Sequence, residues 1–124
     1  MIEDDILAKL QDLGFGIIGK DLFKGLLPTD PDNLVLVRTY DSGPTDLAWN
    51  GEYPYIQITV RNKKYDSGQA KAQAIYNALH GICEEVINGT GYLLITATQV
   101  PILLTIDKGE RKVFTCNFSV IKEI

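Results

Sequence analysis

Hydrophobic residues at the start of the chain recur at helical spacing. Ile2, Ile6 and Leu10 lie four residues apart, and acidic residues crowd the first turn. This is the pattern of an amphipathic helix, and acidic groups suit the positive end of a helix dipole. We predict a first helix that is capped by Gly14 in the left-handed conformation.

The following segment predicts strands separated by loops. Residues 34–40, "LVLVRTY", are β-branched and apolar, which favours a strand with both faces partly covered. Residues 54–61, "PYIQITVR", alternate between apolar and polar and predict another strand, while residues 20–27 fit a short one. Residues 41–52 are rich in turn formers, so we predict a loop there, and unstructured loops of that length are usually functional or disordered.

A second helix is predicted after residue 64. Asp66, followed by Gln69 three residues later, resembles a capping box at the helix start. The expected buried stripe consists of Ala72, Ile75 and Leu79. The alanines expected to allow close packing are Ala70, Ala74 and Ala78.

The end of this helix has two interpretations. Ile82 and Val86 would continue its apolar stripe, whereas Gly81 is typical of a helix stop. We favour the stop at Gly81, because Asn88-Gly89 is a strong hairpin signal that requires a short strand before it.

The last third of the chain predicts three strands. Residues 92–98 alternate, and Pro101 then breaks the strand or marks a bulge. One face of that strand would carry Leu93, Ile95 and Ala97. Residues 102–106 and 111–121 flank a turn and predict a final hairpin. The buried face of its second strand would carry Phe114, Cys116, Phe118 and Val120.

The order of the elements indicates an α+β fold. A chain of 124 residues suits one domain, so we assign residues 1–124 to a single small domain. The expected sheet is mainly antiparallel, with a mixed sheet as the alternative, and its helices pack on one face.

Charge argues against one class of partner, and the length of the apolar stretches argues against another. The net charge of −4 opposes passive binding to nucleic acid, which needs clustered lysines and arginines. The small basic cluster of Arg61, Lys63 and Lys64 is interpreted as a solvated strand end. No apolar stretch approaches the length of a membrane span and no secretion signal opens the chain, so we expect synthesis in the cytoplasm and no membrane partner.

One glycine-rich segment matches nucleotide-binding patterns. Residues 14–20 fit both G-x-G-x-x-G and G-x-x-x-x-G-K. Both motifs require a strand before the glycines and a helix after them, so that free N–H groups face the phosphates. A predicted helix precedes this segment, and Asp21 replaces the usual hydroxyl, so we interpret the segment as a helix cap and connector.

The sequence offers few groups for catalysis or metal binding. His80 is the single histidine, which leaves no ordinary zinc site, and a His80–Cys83 pair would need a helix to continue past Gly81. The adjacent carboxylates Asp4 and Asp5 are interpreted as solvated surface. We therefore expect no catalytic residue, metal or cofactor.

Aromatic and apolar side chains in the predicted connectors are the clearest functional signal, since Tyr and Trp outside a core are typical of protein contacts. The residues that we assign to an oligomer or partner interface are Leu47, Trp49, Tyr53, Tyr55, Arg61 and Tyr65. The alternative is that the aromatic rings cover sheet edges of their own subunit.

Nearly the whole chain resembles the tail terminator, or minor capsid, proteins of long-tailed bacteriophages. The similarity lies in the order and spacing of three segments, "LLPTDPDNLVLVRTYDSG", "YPYIQITVRNKKYDSGQAKAQAIYNALHG" and "YLLITATQVPILLTIDKGERKVFTCNFSVI". The resemblance implies a non-enzymatic virion protein without a cofactor, made in the bacterial cytoplasm and placed at the head-proximal end of the tail. It implies a self-assembled ring, commonly a hexamer, that stops the tail tube from growing.

The implied partners are further copies of the chain, the tail tube protein and the head connector or stopper, with DNA only as cargo passing through. Another head–tail joining protein, such as a connector stopper or adaptor, is the alternative in the same class. A small nucleotide-binding enzyme that uses residues 14–20 is the alternative from another class.

Overall fold

The computed structural model describes residues 1–42 and 48–123 and consists of two helices and eight strands. The helices are α1 (Ile2–Asp12) and α2 (Tyr65–Leu79). The strands are β1 (Leu22–Lys24), β2 (Leu34–Ser42), β3 (Gly51–Glu52), β4 (Pro54–Asn62), β5 (Ile82–Ile87), β6 (Thr90–Ala97), β7 (Ile102–Ile106) and β8 (Lys112–Glu123).

The strands form one mixed sheet in the order β1-β2-β4-β8-β6-β5, with β3 and β7 also paired to β8. β1 runs parallel to β2, and the other pairings are antiparallel. Buried residues of both helices join sheet residues in one hydrophobic cluster. The prediction of an α+β domain is therefore confirmed, and its sheet is mixed because of the one parallel pair.

Twelve residues of β8 connect most of the sheet. Along one edge β8 pairs with β4 and, at its far end, with β3. Along the other edge, residues 112–115 pair with β7 and residues 118–122 pair with β6. As predicted, the side chains of Phe114, Cys116, Phe118 and Val120 are buried.

The end of α1 follows the prediction. Gly14 has φ +84°, and its N–H donates to the carbonyl of Gln11 at 3.0 Å. The N–H of Phe15 donates to the carbonyl of Leu10 at 3.0 Å, which completes a Schellman motif. The chain then leaves the helix as a connector toward β1.

The stop of α2 is also confirmed. The helix ends at Leu79, and Gly81 has φ +89° immediately before β5. Asn88 and Gly89 both have positive φ, at 50° and 83°, and form the two-residue turn between β5 and β6. Such a turn matches the right-handed twist of the strands that it joins.

The start of α2 corrects a prediction. The helix begins at Tyr65, and its N-cap residue Lys64 makes no side-chain capping bond. The predicted capping box at Asp66 is wrong because the helix already includes that residue. The side chain of Asn62 instead accepts a hydrogen bond from the N–H of Lys64 at 2.9 Å, which orders the chain just before the helix.

Close packing of α2 also rests on a residue other than those predicted. Ala70 and Ala74 are exposed, so they do not mediate it, whereas the third predicted alanine, Ala78, is half-buried. Gly68 is buried, and a Cβ there would lie 2.7 Å from Cε1 of Phe114. A glycine at this position therefore lets the helix lie close to Phe114 on β8.

The predicted face of β6 is partly wrong because the strand carries a bulge. The register with β8 shifts between Tyr92 and Leu94, so that Leu93 is an extra residue. Tyr92 and Ile95 are buried, whereas Leu93 is exposed. A simple alternation cannot survive an inserted residue, since each side chain beyond it changes face.

The predicted loop at residues 41–52 is shorter than expected. β2 continues to Ser42, and Gly51–Glu52 form β3, which pairs with β8. Residues 43–47, among them the predicted interface residue Leu47, lie outside the described residues.

Candidate oligomer and partner interface

Trp49 lies against its own subunit. Its indole Nε1 donates to the hydroxyl of Tyr53 at 3.1 Å, and the two rings meet edge to face with centroids 6.4 Å apart. A Cβ at Gly51 would lie 2.0 Å from the indole, so this position admits only glycine beside the ring. Trp49 is nevertheless half-buried and not fully buried.

The other predicted aromatic residues occupy separate places. Tyr55 is half-buried on β4, and its ring lies 5.9 Å from that of Tyr40. Tyr65 is exposed at the start of α2, and its ring packs against Phe114 with centroids 5.4 Å apart. Among the described residues, each of these rings therefore has its own ring partner within the subunit.

Arg61 corrects the interpretation of the basic cluster, because it is buried. Its guanidinium donates to the carbonyls of Thr29, Pro31 and Asp32 at 3.0, 2.6 and 3.2 Å. Burial lowers the pKa of Arg61, and the neighbouring Arg111 lowers it further. Arg61 anchors the segment before β2, and this role could not be read from its place at a strand end.

Asp5 is also buried, so its assignment to solvated surface is wrong. Its carboxylate accepts hydrogen bonds from the Tyr92 hydroxyl at 2.7 Å and from the Asn88 amide at 3.1 Å. Burial raises the pKa of Tyr92 well above its ordinary value, and the bond to Asp5 raises it further. This small network ties α1 to the β5–β6 hairpin.

Strand β7 carries an exposed apolar surface that includes none of the predicted interface residues. Its sequence, ILLTI, is almost entirely apolar, yet all five residues are exposed. Leu104 is an extra residue in the pairing with β8, and its side chain is 60% exposed. The sequence did contain a signal for this surface. Residues 102–106 are mostly apolar without alternation, and they directly precede the turn at residues 107–110.

Register shifts place large apolar side chains at the surface elsewhere too. Three pairings of the described strands contain such a shift, and the inserted residues are Tyr40, Leu93 and Leu104. All three side chains are exposed. Bulges commonly re-aim a side chain toward a functional surface, so these positions are candidates for contacts.

An apolar groove with an acidic rim lies at the far end of β8. It has a volume of about 360 Å³. We call it the acidic groove, and its lining includes Trp49, Glu84, Val86, Gly91, Leu93 and Glu123. The Val86 side chain is 73% exposed there. Glu85 also lines the groove but forms an ion pair with Lys9 at 2.6 Å.

The glycine-rich segment does not have the surroundings of a phosphate site. α1 precedes it and β1 follows it, which reverses the strand and helix that both motifs require. The N–H of Ile17 is already used, because it donates to the Asp21 carboxylate at 2.7 Å. The interpretation of residues 14–20 as a connector is confirmed.

The two thiols and the histidine differ in burial and in the contacts that they make. Cys116 is buried with its Sγ 3.1 Å from the carbonyl of Gln99, and burial raises the pKa of its thiol to about 11. Cys83 is exposed. His80 stacks on Tyr76, and its Nδ1 accepts from the N–H of Ala97 at 2.9 Å. This contact fixes the imidazole at the end of α2.

Neither a metal cluster nor a membrane-spanning helix occurs among the residues that the structure describes. Residues 1–42 and 48–123 contain no group of three or more His, Cys, Asp or Glu side chains placed to hold a metal ion. In the same residues, neither helix has the length and apolar character needed to cross a membrane.

Comparisons with known proteins identify a matching family and a similar fold. The family model described as bacteriophage tail terminator protein matches residues 9–124. No curated protein matches the chain. Among solved structures, the fold is similar to a chain in the virion of a native gene transfer agent particle. The TM-score is 0.61 at 16% identity, over 95% of this chain and 84% of that chain.

Proposed function

The chain belongs to the bacteriophage tail terminator family, and we propose that it assembles into a ring, of six subunits, on the head-proximal end of a tail tube. The ring stops growth of the tube and presents the surface that receives the head connector or stopper. The protein works without catalysis, and its assembly takes place in the host cytoplasm.

The observation that carries this proposal is the amount of apolar surface left uncovered on an otherwise well-packed domain. β7 exposes every one of its residues, and the acidic groove exposes Val86 and Leu93. Patches of this kind on a small protein usually mark contacts with other proteins. A ring subunit needs two such surfaces for its neighbours, and it needs further surface for the tube and the connector.

The charge distribution suits a ring through which DNA passes. The chain carries a net charge of −4, so the wall of such a channel would not hold phosphates. Arg61, which could have gripped a phosphate, is buried and bonded to three carbonyls instead. DNA is therefore cargo in this proposal and not a ligand.

The aromatic interface is the next part of the proposal. We place Trp49, with Tyr53 beside it, at a contact between subunits or with the tube, and the exposed Tyr65 at a second contact. Tyr55 and Tyr40 form a third aromatic surface on β4 and β2. Buried aromatic anchors commonly dominate the energy of a protein interface.

Electron microscopy of the protein mixed with purified tail tubes tests the function. We expect one ring at a single end of each tube, and tubes that no longer elongate when more tube protein is added. Binding along the whole tube, or continued elongation of the capped end, would contradict the proposal.

Trp49→Ala tests the aromatic contact within that experiment. We expect the isolated subunit to stay folded and ring formation or tube capping to weaken, because a hot-spot aromatic is worth about 2 kcal/mol or more at an interface. Thermal unfolding of the isolated subunit is the control. A sharp loss of subunit stability with assembly unchanged at permissive temperature would assign Trp49 to its own core.

A further inference from the structure

The surface of β7 is incomplete in the isolated subunit. Within residues 1–42 and 48–123, β7 pairs with β8 alone, so its outer edge has no strand beside it. All of its side chains are exposed, and Leu104 projects from a bulge. An open apolar edge attracts other chains unless something covers it, so a native partner is expected.

The acidic groove offers apolar walls of complementary character. Val86 and Leu93 expose their side chains there, with part of the Trp49 ring at one side. Gly91 leaves the groove open, because a Cβ at this position would meet the Glu123 carboxylate. An apolar side chain the size of leucine could therefore enter between these residues.

Charge distinguishes the two surfaces. The turn between β7 and β8 gathers Lys63, Lys108 and Lys112, with the Lys63 ammonium 3.2 Å from the carbonyl of Gly109. The turn also contains two acids, of which Asp107 is paired with Arg111 at 2.8 Å and Glu110 is exposed, so the lysines outnumber the unpaired acid. The groove carries three glutamates and no lysine or arginine among its lining residues. Opposite charges steer such surfaces together and disfavour pairing of like with like.

The two surfaces cannot satisfy each other within one subunit. β7 pairs with the start of β8 at Lys112, whereas the groove includes Glu123 near the end of the same strand. Eleven steps along an extended strand cover roughly 35 Å. Contact between them must therefore come from different copies, and a contact between unlike surfaces repeats from subunit to subunit, as a ring requires.

We propose that the β7 edge of one subunit docks into the acidic groove of the next copy, with Leu104 against Val86 and Leu93 and the lysine-rich turn against Glu84 and Glu123. This inference rests on the proposed ring and adds the identity of its two subunit surfaces. The occupant of each surface is thus a second copy of this chain.

Cross-linking tests the contact through a native thiol. Cys83 is exposed one residue before Glu84, whereas Cys116 is buried. Leu104→Cys would place a second reactive thiol on β7. With a short bis-maleimide, we expect a ladder of covalent oligomers that ends at the ring size.

Two matched variants control for random collision. Leu104→Cys combined with Cys83→Ala should lose the ladder, because one of the two partners is missing. Ile17→Cys with Cys83 retained places an equally exposed apolar position on the connector, and it should cross-link far less.

Charge reversal supplies an independent measurement. Lys108→Glu should weaken subunit association about tenfold or more, and adding Glu123→Lys should restore it. Lys20→Glu, an exposed lysine on the connector, changes the net charge equally and should leave association unchanged.

The outcomes separate this inference from the ring itself. A discrete oligomer seen by light scattering in which Leu104→Cys gives no ladder, or one that Lys108→Glu does not weaken, overturns the contact and leaves the ring in place. A chain that remains monomeric both alone and with tail tubes overturns both proposals. A ladder as strong for Ile17→Cys as for Leu104→Cys also overturns the contact.

Discussion

Strands β4 and β7 flank the same four residues of β8, residues 112–115, but their apolar side chains differ in burial. Phe114 pairs with Val60 on the β4 side and with Leu103 on the β7 side. Val60 is buried to 1% exposure, whereas Leu103 is exposed. Both strands are rich in branched apolar residues, so composition does not explain the difference.

Neighbours explain it. β4 has β2 on one side and β8 on the other, and its inward residues join the cluster that both helices complete. β7 has β8 on one side and no second strand within the described residues. The same residue types therefore stabilise the subunit in β4, and in β7 they remain for a contact that the subunit alone does not provide.

The largest expected effect lies where both strands meet β8. Phe114→Ala should lower the free energy of unfolding by about 3–5 kcal/mol, since it empties a buried site beside Gly68 and Tyr65. Leu104→Ala on β7 should change it by less than about 0.5 kcal/mol. Urea unfolding of the isolated subunit measures both, and similar losses for the two variants would erase the contrast between the strands.

Arg61, next to Val60 on β4, extends the contrast to a buried polar side chain. Arg61→Lys should lower the free energy of unfolding by about 1–3 kcal/mol, because an ammonium has its donors on a single nitrogen and lacks the spread of the Nε and Nη2 groups that reach the three carbonyls. Arg38→Lys, on the exposed part of β2, is the matched control and should have little effect. If the two thermal midpoints fall equally, Arg61 is not the anchor described above.

A comparison of Asp5 with Asp4 tests whether burial also determines how much a polar group contributes to stability. Asp5→Ala should cost about 1–3 kcal/mol, because it leaves the Tyr92 hydroxyl and the Asn88 amide without their acceptor. Asp4→Ala removes an exposed pair with Lys24 and should leave the denaturation midpoint nearly unchanged. Equal effects in chemical denaturation would mean that burial of Asp5 has no special energetic weight.

The thiols give the smallest perturbation, because labelling reports exposure without a substitution. Cys83 on β5 should react with a thiol reagent within the time that an exposed thiol needs, whereas Cys116 should react only as the protein unfolds. The raised pKa of Cys116, about 11, also leaves little thiolate at pH 8. Two equally fast thiols in the native protein would show that this part of β8 is open.

Local patterns predicted most of the elements because their causes are local. The spacing of Ile6 and Leu10 defines α1, and the alternation in β4 defines its buried face. Gly81 and Asn88-Gly89 act through backbone conformations that few other residues adopt easily. These features need no knowledge of the rest of the chain.

What sequence reasoning missed depends on distant partners. Arg61 binds carbonyls about thirty residues away, and Asp5 meets Tyr92 across 87 residues. The inserted residue Leu93 is defined only by its pairing with β8, which no local pattern records. The interface itself remains a prediction, since its partner would be another chain; its residues are Leu47, Trp49, Tyr53, Tyr55, Arg61 and Tyr65.

The central place of β8 also has a consequence for the order of folding. Residues 112–123 form a pairing surface for β4, β6 and β7, so none of these strands completes its pairing until that stretch has left the ribosome. Contacts between distant parts of a chain form slowly. A nascent subunit would therefore acquire its open β7 edge in the same late step that completes its core, which limits association between unfinished copies on neighbouring ribosomes.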